Sequence, residues 1–411
     1  MTGLHRNLTQ KINDLLEIFP IVLILGARQV GKTTLAQQCR PNWKYFDLER
    51  GSDFDFISQD YDFFFKEYHQ HVIFDEAQSD PQLFNELRGV VDRNRKNKNR
   101  FILTGSSSPV MLNAVADSLA GRVGIVEVGT MKINELLKEP LPAFYQLFEN
   151  EITQQSTEFV KDLPLSNTDY LAYFLKGSYP EPVLSQNGKF HQNWMDNYYQ
   201  TYVNRDIKKL FPKLDEIKFR RFIAILSSLS GTIINKAQVG RALDVSEVTI
   251  RDYLEIANNT YIWRSIPSYE SANIKSTTKM PKGIYRDTGL LHFLSNVTDR
   301  EKMLIHPNVG YNFESFVIEE IIKGVQAANV IRWDYYYYRT RNGAEVDLIL
   351  EGEFGLVPIE IKFGANTTLK QLASLSKFIK ENNVPLGIVI NNSNEIRMIS
   401  ERIIQLPVQV I

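Results

Sequence analysis

Short apolar runs alternate with helix-length segments from the start of the chain to about Thr130. The first run covers residues 21–25 and is followed by a glycine and then by a helical segment, residues 34–38. Further runs cover residues 43–48, 72–74, 101–104 and 124–128, each separated from the next by enough residues for a helix. Apolar runs of this kind are typical of buried parallel strands. The pattern predicts an α/β fold with a parallel sheet over residues 1–131.

The pattern becomes helical in residues 132–217. Apolar residues recur there at helical spacing, as in residues 170–175, and Gly177, Pro180 and Pro182 interrupt them. Glycine and proline are the residues that most often end or break helices. We therefore expect a helical lid or connector in this part of the chain.

Residues 218–275 show three short helical segments and a strand pair. The last helix follows Ser246, a good N-cap, and residues 261–266 predict a wing strand. This arrangement resembles a winged helix-turn-helix. Its presumptive recognition helix offers a mixed face, which favours a protein partner or a lid over the nucleotide, with DNA as the alternative partner. The residues of that face are Glu247, Thr249, Arg251 and Asp252.

Composition limits the class of protein. The chain has 411 residues, 43% of them hydrophobic, so roughly two to four domains are expected. A net charge of −1 argues against a basic surface coat for non-specific nucleic-acid binding, although a local patch is allowed. Cys39 is the only cysteine, which excludes an internal disulfide and suits a reducing compartment. Without a signal-like N-terminus or a long apolar run, we expect a soluble cytoplasmic protein with no membrane partner.

The segment after the first strand fits Gly-x-x-x-x-Gly-Lys-Thr without a mismatch. We expect Gly26 and Gly31 to allow backbone angles that other residues avoid, so that successive N–H groups turn towards a polyphosphate. Lys32 would contact the β- and γ-phosphates, and the Thr33 hydroxyl would bind Mg²⁺. The motif therefore predicts an ATP-binding loop with Mg²⁺ as cofactor. Its residues are Gly26, Ala27, Arg28, Gln29, Val30, Gly31, Lys32, Thr33 and Thr34.

Two carboxylates follow the apolar run at residues 72–74. Parallel strands deliver their ligands at their C-terminal ends, so Asp75 is expected to hold Mg²⁺ through water. Glu76 would then orient or deprotonate the water that attacks the γ-phosphate. The alternative is that both acids cap the helix that follows. After the next strand, Thr104 or Ser106 fits a hydroxyl that contacts the γ-phosphate.

An arginine stands directly before the strand at residues 124–128. The sequence resembles the AAA-type ATPases here, in which an arginine before the fifth core strand reaches the nucleotide of a neighbouring subunit. The resemblance implies that Arg122 acts in trans and that the protein forms a homo-oligomer. The alternative is an arginine that neutralises surface acids.

The last part of the chain, residues 276–411, carries a second group of charged residues. A helix at 311–320 presents Glu314, and a hairpin over 335–350 turns at an Asn-Gly pair. Alternation along its second strand places Glu345 and Asp347 on one face, with Val346, Leu348 and Leu350 on the other. The next strand, residues 356–362, places Glu360 and Lys362 together.

The spacing Asp347, then Glu360-x-Lys362, resembles the restriction-endonuclease-like nucleases of the PD-(D/E)XK group. Asp347 and Glu360 on neighbouring strands would share a hard cation, Mg²⁺ or Mn²⁺. Lys362 would position or deprotonate the attacking water, and Glu314 would orient from the helix. The alternative is a charged outer strand face without chemistry.

These features together resemble the bacterial and archaeal AAA-type ATPases that carry a C-terminal domain of unknown function, and residues 283–290 look like the linker strand and turn of that family. The resemblance implies a parallel AAA-type sheet, a helical connector, a winged helix-turn-helix and a nuclease-like α/β domain. Two functions of different class follow. One is a Mg²⁺-dependent ATPase coupled to a nuclease-like module that acts on DNA. The other is an ATP-gated interaction scaffold whose nuclease-like module is inactive.

Overall fold

The computed structural model describes residues 4–106, 115, 117–185, 187–211, 214–270 and 280–411. Within these ranges the side chains of residues 188, 203–206, 209 and 210 are not described. Three sheets organise this part of the chain.

The first sheet is parallel throughout and has the order β2-β3-β4-β1-β5. Its strands are β1 Ile21–Gly26, β2 Lys44–Asp47, β3 Val72–Asp75, β4 Phe101–Gly105 and β5 Val123–Val128. The prediction of a parallel α/β sheet is therefore confirmed. Because all five strands are parallel, the loop after β1 and the acids after β3 leave the same edge of the sheet, at the carboxyl ends of the strands.

Helices cover both faces of this sheet. They are Thr9–Ile18, Lys32–Cys39, Gly51–Ser58, Tyr61–Glu67 and Pro81–Arg93. Leu35 packs in one apolar cluster with Ile24, and Leu87 packs in another with Leu23. Alternate residues of β1 thus face opposite layers, which is why the strand is apolar along its whole length.

The segment after β5 is helical, as expected. Its α-helices are Ile133–Leu137, Ser156–Lys161, Tyr170–Lys176, Pro180–Leu184, Gly188–Tyr198 and Ile207–Leu210, with a π-helix at Tyr199–Asp206. Short 3-10 helices occur at Ala77–Ser79, Ala143–Glu149 and Val408–Val410.

Three helices and a small antiparallel sheet follow. The helices are Glu216–Leu229, Lys236–Leu243 and Glu247–Asn259, and the strands β6 Thr232–Ile233, β7 Trp263–Ile266 and β8 Lys282–Tyr285 pair in the order β6-β8-β7. Ser246 caps its helix by accepting a hydrogen bond from the Thr249 N–H at 3.1 Å. The sequence predicted only a strand pair, because two residues are too few to show the alternation that marks β6.

The third sheet is mixed and has the order β13-β14-β12-β11-β10-β9. Its strands are β9 Asp334–Arg339, β10 Glu345–Gly352, β11 Gly355–Lys362, β12 Gly387–Asn391, β13 Arg397–Ser400 and β14 Ile403–Pro407. The accompanying helices are Thr288–Leu294, Arg300–Ile305, Val309–Ala327 and Ala373–Glu381. The β9–β10 hairpin turns through Gly343, whose φ of +86° suits glycine.

One residue of β10, Val346, does not lie on the face that the alternation predicts. The pairing of β9 with β10 shifts register between Val346 and Ile349, and a bulge reverses the side-chain alternation locally. Val346 therefore packs with Ile349, whereas Leu348 and Leu350 belong to the cluster on the other side of the sheet.

The helix Val309–Ala327 joins the C-terminal sheet to the rest of the fold. Its residues Phe316 and Ile321 share one apolar cluster with Phe144 and Phe174 of the connector. Gly324 lies so close to Tyr145 that an added Cβ would meet the ring at 2.0 Å. In the part of the chain that the structure describes, no helix has the length and apolarity needed to cross a bilayer.

Candidate functional site

The sequence predicts unusual backbone angles at two glycines of the loop after β1, and the structure has a positive φ at one of them. Gly31 has a φ of +90° and stands at the N-cap of the helix Lys32–Cys39. Gly26 is not in the left-handed region, so that part of the expectation is wrong. Glycine is needed there for space, because a Cβ would approach the Val128 carbonyl oxygen to 2.2 Å. Gln29 also adopts a positive φ, 67°, within the loop.

Lys32 is buried at the base of this loop. Its Nζ donates hydrogen bonds to the carbonyl oxygens of Gly26, at 3.2 Å, and Ala27, at 2.9 Å. Burial lowers the pKa of Lys32, while Glu76 and Asp75 act in the opposite direction. The Lys32 ammonium is thus held by two neutral carbonyl oxygens. A negatively charged phosphate oxygen would form a stronger hydrogen bond with it.

Asp75 is the centre of a group of hydroxyls at the end of β3. Its oxygens accept hydrogen bonds from Thr33 Oγ1 at 3.0 and 2.9 Å, from the Tyr45 hydroxyl at 2.7 Å and from Thr104 Oγ1. Burial and the bond to Asp75 raise the pKa of Tyr45. Asp75 is only 5% exposed, so the three donors hold a buried carboxylate in one orientation.

Glu76 follows directly and has a strained backbone. Its φ of 51° lies in the left-handed region, which is uncommon for residues other than glycine and asparagine. The Gln78 side-chain amide donates to Glu76 Oε2 at 2.5 Å, and the Glu76 N–H donates to Thr104 Oγ1 at 3.4 Å. These contacts hold the backbone and the carboxylate of Glu76 at the end of β3, next to Asp75.

Two other residues expected near the nucleotide have different surroundings. Ser106 lies just beyond the end of β4 and is half-buried, whereas Thr104 contacts Asp75 directly. Arg122 lies before β5 and forms a two-pronged ion pair with Asp92 of its own chain, with both N–O distances at 2.8 Å. Its role towards a neighbouring subunit stays a prediction.

Sequence reasoning missed three residues around the loop. Tyr45 and Gln78 position the two acids, and no motif marks either of them. Arg6 is buried and donates to the carbonyl oxygens of Val30, at 2.8 Å, and Gly129, at 3.0 Å. Its Nε also lies 3.1 Å from Glu135 Oε2. Its position far ahead of the motif gave no signal.

The four charged residues predicted for the C-terminal site do converge. Lys362 Nζ lies 2.5 Å from Glu360 Oε1 and 3.7 Å from Asp347 Oδ2. The Ile361 N–H donates to Asp347 Oδ2 at 2.8 Å, so β10 and β11 fix the first carboxylate. Glu314 reaches the same group from the helix Val309–Ala327 through a shared lysine partner.

That partner is Lys282, which the sequence did not reveal. Its Nζ contacts Glu314 Oε1, Glu345 Oε1 at 2.9 Å and Asp347 Oδ1 at 3.6 Å. Lys282 lies on β8, far from the hairpin in sequence and in a different sheet. Only the packing of the two sheets, which no local pattern encodes, brings it here.

Burial shifts the ionisation of this cluster. Burial and the neighbouring Asp347 raise the pKa of Glu360 to about 8, although Lys362 opposes the shift. Burial and Asp347 likewise raise the pKa of Glu314. The carboxylates around Lys282 outweigh its burial and raise its pKa. Burial and the neighbouring Asp347 thus raise the pKa of Glu314 and of Glu360, whereas the surrounding carboxylates raise the pKa of Lys282.

Lysine side chains are the ion-pair partners of the carboxylates in this cluster. No group of three or more His, Cys, Asp or Glu side chains among the described residues is placed to hold a metal ion. Glu314 Oε1 contacts Lys282 Nζ, and Asp347 Oδ1 lies 3.6 Å from the same nitrogen.

A second charge network joins the first sheet, the β6-β8-β7 sheet and the helix Val309–Ala327. Glu127 of β5 lies 2.6 Å from Arg286 Nη2 and 3.4 Å from Arg264 Nη2. Glu319 of the helix Val309–Ala327 contacts Arg264 Nε and lies 3.7 Å from Arg286 Nε. Burial would raise the pKa of Glu127, but the two arginines outweigh it and lower the pKa to about 2.

Three family models match consecutive parts of the chain. Residues 19–137 match an AAA domain, residues 167–301 match a domain of unknown function (DUF8612), and residues 309–411 match another (DUF4143). The first match contains the loop after β1, Asp75, Glu76 and Arg122. The N-terminal unit is thus a P-loop ATPase domain of the AAA type.

Relatives match over most of the chain. The uncharacterized protein Rv2008c of Mycobacterium tuberculosis and the uncharacterized protein Mb2031c of Mycobacterium bovis are each 30% identical over 350 residues, covering 84% of this chain and 71% of theirs. The uncharacterized protein MJ1544 of Methanocaldococcus jannaschii is 25% identical over 336 residues, covering 79% of this chain and 69% of its own.

Solved structures of ATPases also align with the chain. The Walker-type ATPase PABY2304 of Pyrococcus abyssi is 16% identical, covers 70% of this chain and 94% of its own, and has a TM-score of 0.41. A signal transduction ATPase with numerous domains, PH0952 of Pyrococcus horikoshii, is 16% identical, covers 77% and 46% respectively, and has a TM-score of 0.26.

Proposed function

We propose that this chain is a Mg²⁺-dependent ATPase, because it belongs to the family of the two mycobacterial proteins and its own residues 19–137 match an AAA domain. The observation that carries the proposal is the juxtaposition at one sheet edge of buried Lys32, the Thr33–Asp75 pair and Glu76. Each has the residue type and position that phosphoryl transfer to water needs.

The residues around Asp75 suit a hard cation. A threonine hydroxyl and a carboxylate are oxygen ligands of the kind that Mg²⁺ prefers, and Thr33 Oγ1 already lies within 3.0 Å of both Asp75 oxygens. We propose that Thr33 and Asp75 hold Mg²⁺, which supplies charge neutralisation on the β- and γ-phosphates when bound. Tyr45 and Thr104 would keep Asp75 in place.

The other steps belong to the chain's own residues. The loop N–H groups around Gly31 bind phosphate oxygens, and Lys32 exchanges its two carbonyl partners for them. Glu76 orients the attacking water and accepts its proton, with Gln78 fixing the carboxylate. Thr104 or Ser106 contacts the γ-phosphate from β4.

ATP affinity in the presence of Mg²⁺ tests the binding part of the proposal. Replacing Lys32→Ala removes a buried charge that contacts phosphate, so we expect affinity to fall about tenfold or more in calorimetric titration. Lys370→Ala, at an exposed lysine, is the matched control and should bind as the wild type does. Equal affinity of the Lys32→Ala protein would reject the phosphate-binding role.

The C-terminal module supports a second candidate function, a nuclease-like activity on DNA. The convergence of Asp347, Glu360 and Lys362 supports it. The contacts of Lys282 with Glu314 and Asp347 favour the other reading, an ATP-gated interaction scaffold with a protein partner at the helix Glu247–Asn259. Incubating plasmid and branched DNA with ATP and Mn²⁺ decides between them. Cleavage that Asp347→Ala abolishes would support the nuclease, and absence of cleavage would support the scaffold.

A further inference from the structure

Lys282 is a buried cation that one structural unit inserts into another. Its backbone pairs within the β6-β8-β7 sheet, opposite Ile233 and Ile266. Its side chain is 1% exposed and enters the carboxylate cluster formed by the helix Val309–Ala327 and β10. The lysine is therefore fixed at its base by strand pairing and at its tip by ion pairs.

The cluster has more acids than bases. Four carboxylates, Glu314, Glu345, Asp347 and Glu360, surround Lys282 and Lys362. Arg339 adds one more cation, at 3.1 Å from Glu345. One oxygen of Glu360 is buried and has no hydrogen-bond partner. A cluster with surplus carboxylate oxygens and one unpartnered oxygen can accept a further cation if its geometry allows.

Lys282 prevents the carboxylates from accepting a further cation. An ammonium group has three donors. Glu314 and Glu345 lie within hydrogen-bond distance of Lys282 Nζ, and Asp347 Oδ1 lies at an ion-pair distance of 3.6 Å. A divalent cation shared by Asp347 and Glu360 would stand beside the fixed positive charge of Lys282 Nζ, which lies 3.6 Å from Asp347 Oδ1 and would repel the cation strongly at low dielectric.

We propose that Lys282 takes the place of a divalent cation in this cluster, so that the C-terminal module is held together by an internal ammonium group and binds no metal while Lys282 is seated. Removing the ammonium turns the cluster into a cation site. This inference is independent of ATP hydrolysis at the N-terminal domain.

Counting bound Mn²⁺ on the nucleotide-free full chain tests the proposal. Electron paramagnetic resonance of free Mn²⁺ gives the number bound for the wild type, Lys282→Met and the control Lys370→Met. We expect Lys282→Met to gain about one Mn²⁺ per chain, with affinity about tenfold or more above any site in the wild type. Adding Asp347→Asn should remove the gained site, which separates it from background binding near Asp75.

Lys282→Met leaves buried acids without a counter-ion, which destabilises the fold. A second variant therefore tests the proposal with less uncompensated charge. In Lys282→Met/Glu345→Gln one acid is neutralised as well, while Glu314, Asp347 and Glu360 keep their oxygens. A cooperative thermal transition that Mn²⁺ raises by more in this double variant than in the wild type supports the proposal.

Two results would overturn it. One is a folded double variant that binds no more Mn²⁺ than the wild type. The other is a wild-type protein that binds a Mn²⁺ ion which Asp347→Asn alone removes. ATP turnover is measured on the same preparations, so failure of the ATPase proposal is seen separately from failure of this one.

Discussion

Tyr45 illustrates how much of the ATPase site depends on residues that no motif marks. Its hydroxyl donates to Asp75 at 2.7 Å from the neighbouring strand β2. Asp75 itself could be predicted, because it follows an apolar strand at the edge where such sheets bind ligands. The tyrosine could not, because its role depends on which strand lies beside β3.

Replacing Tyr45→Phe should weaken the use of Mg²⁺ without abolishing ATP binding. The variant keeps the ring and removes one of the donors that hold Asp75. We expect the Mg²⁺ concentration for half-maximal turnover to rise about tenfold, the usual size of a lost supporting contact, with turnover at saturating Mg²⁺ largely restored. Tyr68→Phe in the same domain is the control. An unchanged Mg²⁺ dependence would show that Tyr45 only packs.

The ionisation of Glu360 makes stability depend on pH in a defined direction. Its pKa is raised from 4.5 to about 8 in the folded chain. A raised carboxyl pKa means that the folded state retains a proton that the unfolded state releases, so this contribution to stability is present below about pH 4.5 and is lost as pH rises through about 8. Denaturant unfolding should therefore show a steeper loss of stability over this range in the wild type than in Glu360→Gln. Identical pH profiles would contradict the assignment.

At the scale of elements, the sequence was most informative where a fixed motif coincides with a strand and a helix. The loop between β1 and the helix Lys32–Cys39 carries such a motif. It was least informative where pairing decides the outcome. The bulge in β10 moves Val346 to the opposite face, and the short strand β6 exists only because β8 pairs with it. The apolar periodicity of a sequence describes a single strand and does not show which strand pairs with it.

Arg122 stands at the entry to β5 and is paired with Asp92 of its own chain. If it acts on a neighbouring subunit, it must leave Asp92, and turnover per chain should rise with protein concentration. Arg122→Ala should then bind ATP normally but hydrolyse it about a thousandfold more slowly. Arg93→Ala, at an exposed arginine nearby, is the control. Turnover independent of concentration in a monomeric sample would leave Arg122 as a partner of Asp92 only.

At the scale of the whole molecule, the helix Val309–Ala327 links the three sheets through buried acids. Glu314 contacts Lys282, and Glu319 contacts Arg264 and Arg286, which also reach Glu127 of β5. Glu320 lies 3.1 Å from Lys132 in the segment after β5. The sequence predicts the helix and Glu314, but no pattern marks the other acids of the helix. Their partners come from other units, so only the assembled fold gives them a role.

Removing one acid from this network should destabilise the whole chain. Glu319→Gln leaves Arg264 buried with half of its compensating charge, and breaking a buried pair in this way costs about 3 to 5 kcal/mol. Urea unfolding should show that loss, while Glu401→Gln, at an exposed acid, should change little. A Glu319→Gln protein as stable as the wild type would mean that the network does not hold the units together.

The rate of ATP hydrolysis by Glu76→Gln tests the proposed mechanism most directly. The substitution keeps the shape of the side chain and removes the base that accepts the proton from water. We predict that this variant binds ATP as the wild type does but turns it over at least about a hundredfold more slowly, while Glu67→Gln, an exposed acid of the same domain, is unaffected. Turnover equal to the wild type would contradict the assignment of the catalytic base and with it the proposed mechanism.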